Sequence, residues 1–189
     1  MVSLDFVTWA TVIGTWVLVV GTLAFAYWQL RQAQRLHSAT TLLDLRERYY
    51  SARMRVARHD LASWLLNPDR RDDFQNWEVG VFFELMGYLT RSGTLERRGV
   101  WSAFGSWIEA YYLFLTQPVN WFETWRKESS DPLLFRDFEW LAIEMLEIDQ
   151  RGTGVPGARA TTLADARTTL EYEANLSAGT GATLFAADE

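Results

Sequence analysis

Glu84 stands inside the apolar run from Val79 to Leu89, one helical turn from both Gly80 and Gly87. Glycines at that spacing let a neighbouring helix come close. A carboxylate enclosed there would have a perturbed pKa and could serve as an acid or base, with Arg91 or Arg126 as its counter-charge. The plainer reading is a structural ion pair or a glutamate turned to water. Glu139 lies away from the apolar stripe of its segment, near Phe135 and Leu146, and is expected to pair structurally with an arginine of a neighbouring helix.

Asp137, Glu144 and Glu147 share one sector at about 100° per residue. Such a cluster could hold a divalent cation, but a solvated helix flank is the better reading, and the sequence contains no EF-hand loop. His37 and His59 are the only histidines, and neither has the His-x-x-x-His or Glu-x-x-His spacing of a zinc or di-iron site. The absence of cysteine excludes disulfides, zinc thiolates and a Cys nucleophile. Gly152-Thr153-Gly154-Val155-Pro156-Gly157 matches the letters of a dinucleotide loop. No strand precedes it and Pro156 interrupts it, so it reads as a linker. No catalytic constellation emerges, and no cofactor or metal is expected.

The elements around these residues begin with an uncharged stretch from Phe6 to Leu30. As a helix, Phe6 to Trp28 would span roughly 35 Å at about 1.5 Å per residue, enough for a ~30 Å hydrocarbon core. The expectation is an N-terminal transmembrane helix over residues 6–30. Trp9, Tyr27 and Trp28 would sit at headgroup level, Arg31 and Arg35 would touch lipid headgroups, and the arginines would keep the C-terminal side in the cytoplasm. A cleaved leader ending near Ala24-Phe25-Ala26 is the rival. It is opposed by Asp5, by the length of the run and by arginines on the wrong side. Thr8, Thr11, Thr15 and Thr22 fall in one sector of this helix, with Ala10, Gly14 and Gly21 in the next. Small residues there would suit self-association.

Charge is unevenly placed. From Arg31 to Arg71 nine arginines face four acids, whereas from Asp72 onward nine basic residues face nineteen acidic ones. So acidic a body argues against nucleic-acid binding. The arginines from Arg46 onward are read as solvated or locally paired.

Residues 31–150 read as a helical domain. Leu36, Leu43, Tyr50, Met54, Leu61 and Leu65 recur at helical spacing, and Asn67-Pro68 ends that helix. A second helix, Asp73 to Thr90, would bury Phe74, Val81, Phe82, Leu85, Met86 and Leu89, with Ser92-Gly93 closing it. A short helix over Leu95 to Gly105 and another through Trp107 to Phe114 follow. Pro118 then kinks this helix or starts a new one through Trp121 and Trp125. Asp131-Pro132 is expected to begin a last helix carrying Leu134, Phe138, Leu141 and Met145. No strand alternation occurs. Residues 151–189 read as a linker, a short helix within Thr161 to Asn175, and a flexible acidic tail. The fold class is all-α: one transmembrane helix, a small cytoplasmic helical bundle and a flexible C-terminal tail.

From Val79 to Met145 the chain resembles a family of small bacterial, membrane-anchored helical proteins known as a domain of unknown function. Phe82-Phe83-Glu84-Leu85, Gly87, Leu89, Arg91, Gly93, Leu95, Trp107, Arg126, Asp131-Pro132 and Phe138-Glu139-Trp140-Leu141 carry the likeness. It implies a helical domain behind one N-terminal anchor and supplies no activity. The functional expectation is a non-enzymatic interaction protein at the bacterial inner membrane, with its N-terminus outside. Its partners would be membrane lipid, further copies of itself and an unidentified protein, met in part through exposed Trp121, Trp125 or Trp140. The alternatives are an effector whose assembled anchors perturb the bilayer, and an enzyme using Glu84.

Overall fold

The computed structural model describes residues 4–67, 77–151 and 162–176, with side chains from Thr15 onward except Gln34 and Arg35. The described residues form seven α-helices and no strand. These are α1 (Leu4–Tyr50), α2 (Ala52–Leu66), α3 (Glu78–Arg91), α4 (Arg97–Thr116), α5 (Trp121–Ser129), α6 (Arg136–Gln150) and α7 (Leu163–Asn175). The chain divides into two compact units, Met1–Thr40 and Thr41–Glu189.

The expected transmembrane helix is corrected. Among the described residues no helix is long and apolar enough to cross a membrane. The uncharged run ends at Leu30, and Arg31 follows. Within residues 15–30, Thr15, Trp16, Gly21, Thr22, Tyr27, Trp28 and Gln29 lower the mean hydropathy. What this segment does have is exposure. Trp16, Val17, Leu18, Val20, Leu23, Phe25, Tyr27, Trp28 and Leu30 are all uncovered. Thr8, Ala10, Thr11, Gly14 and Arg35 lie outside the residues whose side chains are described.

The second unit is a bundle in which α3 packs on α6, α4 on α6, and α7 on both α2 and α4. Its core is rich in rings: Tyr49, Phe82, Phe83, Phe104, Tyr111, Phe122 and Phe138 are almost fully buried. Edge-on and tilted contacts link Tyr49 to Phe82 and Phe104, and Phe138 to Phe83 and Phe122. That geometry suits the aromatic quadrupole better than face-to-face stacking.

Several boundaries depart from the sequence expectation for local reasons. The first long helix is interrupted at Ser51, whose extended backbone and hydroxyl, accepting from the Met54 amide, begin α2 afresh. α3 buries Val79, Phe82, Phe83 and Met86 and leaves Val81 and Leu85 exposed, a phase shift of about a quarter of a turn. Phe74 lies outside the described residues. Gly93 closes α3 in the left-handed region at φ 81°, where a glycine has no Cβ to clash. The two expected helices of 95–114 are one, because Gly105 fits within α4 beneath the Trp101 ring. Asp131-Pro132 starts a turn and not the helix: Asp131 accepts from the Leu133 amide, and α6 begins only at Arg136 after Phe135 takes φ 55°. The short helix expected within Thr161 to Asn175 is α7. α7 carries a full capping box between Thr162 and Asp165 and buries Ala166, Leu170 and Glu173. The linker at 152–161 and the tail from Ser177 lie outside the described residues.

Candidate functional site

Two polar centres in the bundle hold the charges that could do chemistry. The first is where α3 meets the start of α6. Helix α6 opens with Phe135, which has no capping side chain, so its first amides need an acceptor from elsewhere. Glu84 supplies it: its Oε2 accepts from the Phe138 amide at 2.7 Å, and the Asp137 amide also points to this carboxylate. A side chain of one helix thus caps another. The approach depends on Gly87, where an added Cβ would run into the Asp137 carbonyl oxygen and lie 3.2 Å from the Asp137 Cβ. Burial raises the Glu84 pKa above the ordinary carboxylate value, the Phe138 and Asp137 amides oppose that shift, and the Asp137 charge adds to it.

Neither expected counter-charge faces Glu84. Arg91 pairs with Asp137 at 2.7 Å. Arg126 pairs with Glu139 at 2.8 Å, while its Nε donates to the Leu134 carbonyl at 2.9 Å. The sequence places Glu84, Arg91, Arg126 and Glu139 as candidates for one site, and the fold distributes them over three separate contacts that fix the entry to α6. The carboxylates once grouped by helical phase are likewise taken up singly. Glu144 meets Arg97 at 2.6 Å, and Glu147 meets Arg151 at 2.5 Å. Among the described residues no group of His, Asp and Glu is arranged to hold a metal ion.

The second centre was not foreseen. Arg58 on α2 is only 2% exposed and Glu173 on α7 is fully buried; their side chains meet at 2.9 Å. The guanidinium carbon lies 4.2 Å from the centre of the Tyr49 ring, and the Tyr111 hydroxyl donates to the Arg58 carbonyl at 3.4 Å. Arg58 Nε and Glu173 Oε2 have no hydrogen-bond partner among the described residues. Burial raises the Glu173 pKa, while Arg58 and the Trp107 side chain pull the other way. Burial likewise pushes the Tyr49 and Tyr111 phenols well above their ordinary value. A clue is present in the sequence: Met54, Arg58, Leu61 and Leu65 lie on one helical stripe, which puts Arg58 among core residues.

The spaces around these centres differ in kind. A largely apolar void of about 10 Å³ lies among Leu61, Trp77, Leu115, Phe122, Trp125 and Phe138, about the size needed for one water. An open groove of about 500 Å³ runs between Leu42, Arg46 and Tyr50 and the first half of α4, with Gly99, Trp101 and Trp107 in its walls. Trp125 is buried, and Trp121 and Trp140 are half-buried, Trp140 beneath the Arg97 guanidinium. Exposed aromatic surface is therefore concentrated in α1, at Trp16, Phe25, Tyr27 and Trp28. There Arg31 is exposed, the Thr22 hydroxyl bonds back to the Leu18 carbonyl at 2.8 Å, and a Cβ at Gly21 would meet nothing.

Compared with protein-family models, with curated proteins and with solved structures, the chain matches none.

Proposed function

We propose that this is a non-enzymatic interaction protein that assembles with copies of itself through residues 15–30 of α1. The observation that carries the reading is the run of large apolar side chains from Trp16 to Leu30, exposed on every face of the helix. A helix apolar all round is stable only when something covers it. No charged residue occurs between Thr15 and Leu30, so two copies meet there without electrostatic repulsion. Gly21 has open space around its Cα, which allows close backbone approach between helices. The carboxylates that could have served catalysis hold helices together, as Glu84 does for α6.

A lipid surface is the second reading, favoured by exposed Tyr27 and Trp28 immediately before Arg31. Rings with polar tips and guanidinium groups suit the headgroup region.

The test is the mass of the full chain in detergent-free buffer, by light scattering across a hundredfold concentration range. Assembly is expected, with Leu18→Glu plus Leu23→Glu shifting the mass to that of one chain. A wild-type chain that is monomeric throughout overturns the reading. Flotation with vesicles containing anionic lipid, with and without the double substitution, decides the lipid alternative.

A further inference from the structure

The end of α1 and the first half of α4 enclose a groove with fixed walls. Leu42, Arg46 and Tyr50 follow one another by a turn along α1, a wall about 12 Å long. Leu42 shuts one end, its Cδ2 only 3.5 Å from where a Cβ on Gly99 would lie. At the other end Tyr50 meets the Trp107 ring edge-on, with centroids 6.3 Å apart. Between them is the open space of about 500 Å³, within the roughly 300–1,000 Å³ of small-molecule sites.

The indoles of this groove are held in place. Trp101 donates its ring N–H to Asp149 at 2.7 Å, and the Trp107 side chain bonds Glu173. Trp107 also packs against Tyr49, with centroids 5.3 Å apart. With their N–H groups engaged elsewhere, both rings offer the groove apolar and π surface. A wall so ordered takes up a planar ring at little entropic cost.

The groove carries charge of one sign. Among the described residues lining it, Arg46 is the one charged side chain. It is exposed, and its guanidinium carbon lies 5.9 Å from the centre of the Tyr50 ring. Because Leu42 adjoins Gly99 and Tyr50 adjoins Trp107, Arg46 falls opposite Ser102 and Ser106, one turn apart on α4. A guanidinium facing two hydroxyls suits a carboxylate, which accepts a charge-assisted hydrogen bond from the first and neutral ones from the others. A cation would be repelled by Arg46, with no lining carboxylate to offset it.

We propose that this groove binds a small aromatic carboxylate, its ring against Trp107 and Tyr50 and its carboxylate between Arg46 and the serine hydroxyls. The site stands on residues 42–50 and 99–107 and uses none of residues 15–30, so it is independent of assembly through α1.

Calorimetric titration of the full chain with naphthoate, and separately with its neutral amide, is the test. Naphthoate should bind saturably and about fivefold more tightly than the amide, the scale of one exposed charge contact. Arg46→Gln should remove that preference. Ser106→Trp, which fills the groove from an exposed position, should abolish binding of both; if that variant fails to fold, the Arg46→Gln comparison stands alone. Arg48→Gln, an exposed arginine outside the groove, should change nothing. Leu18→Glu plus Leu23→Glu should also leave binding intact, which separates the groove from the apolar surface of α1. Absence of saturable binding, equal affinity for the amide, or indifference to Arg46→Gln overturns the proposal.

Discussion

Gly87→Ala is the substitution whose cost can be worked most directly from the geometry. In a helix interior alanine is favoured over glycine by about 1 kcal/mol, so in a solvent-facing position the change would stabilise α3. At position 87 the new methyl would overlap the Asp137 carbonyl oxygen, a backbone atom that no rotamer change can move. To restore a tolerable contact α3 and α6 must separate by roughly 1 Å or more at this point. That separation stretches the 2.7 Å bond from the Phe138 amide to Glu84 and the 2.7 Å bridge between Arg91 and Asp137. Overpacking costs typically 1–3 kcal/mol and loss of a cap about 1 kcal/mol, so a net destabilisation of about 1–3 kcal/mol remains after the propensity gain. Gly80→Ala is the internal control. Its Cβ would come 2.9 Å from the Phe135 ring, a side chain and not backbone, so its cost should be smaller than that of Gly87→Ala. Urea unfolding of the full chain followed by tryptophan fluorescence measures both. If Gly87→Ala proved as stable as wild type, or Gly80→Ala the more damaging, the close passage of α3 over the start of α6 would be refuted.

Two further outcomes follow from the buried charges. Arg58→Met should cost about 3–5 kcal/mol in the same unfolding assay, because Glu173 is left buried and uncompensated. Adding Glu173→Leu should recover most of that loss, and a double variant no better than the single would show that the pair is not coupled. For Glu84, burial raises the folded-state pKa, so the folded chain binds this proton more tightly than the unfolded one. Its contribution is present in full below the unfolded carboxylate pKa and is lost as pH rises through the raised folded value. The stability of wild type relative to Glu84→Gln should therefore fall as pH rises above the ordinary carboxylate range, and a rise with pH there would contradict the burial of this carboxylate.

The all-α class and most helix positions were legible, since apolar spacing and punctuation at Asn67, Gly93 and Pro118 are local signals. The glycines flanking Glu84 correctly marked where a helix comes near. What escaped local reading was the identity of what comes near. Glu84 meets backbone amides, which carry no sequence signature, in place of Arg91 or Arg126. The start of α6 was misplaced because Asp131-Pro132 resembles a cap, while the left-handed turn at Phe135 is dictated by the rings of Trp77, Phe122 and Trp125 packed around it. In sequence Arg58 reads with the other arginines as solvated or locally paired, and Glu173 is not singled out; they lie 115 positions apart, and only their meeting makes the burial tolerable. The uncharged stretch before Arg31 was read as a membrane span by its length from Phe6. Its described portion is distinguished instead by uncovered apolar side chains.

The carboxylate that starts α6 comes from 54 residues upstream. That loan has a consequence for the order of assembly. An isolated peptide covering α6 lacks the acceptor for its first turn and should fray or begin elsewhere, so its helix boundary is a property of the folded bundle and not of its own residues. Local and global order then arrive together, and a chain caught with α3 undocked would also be missing the opening of α6.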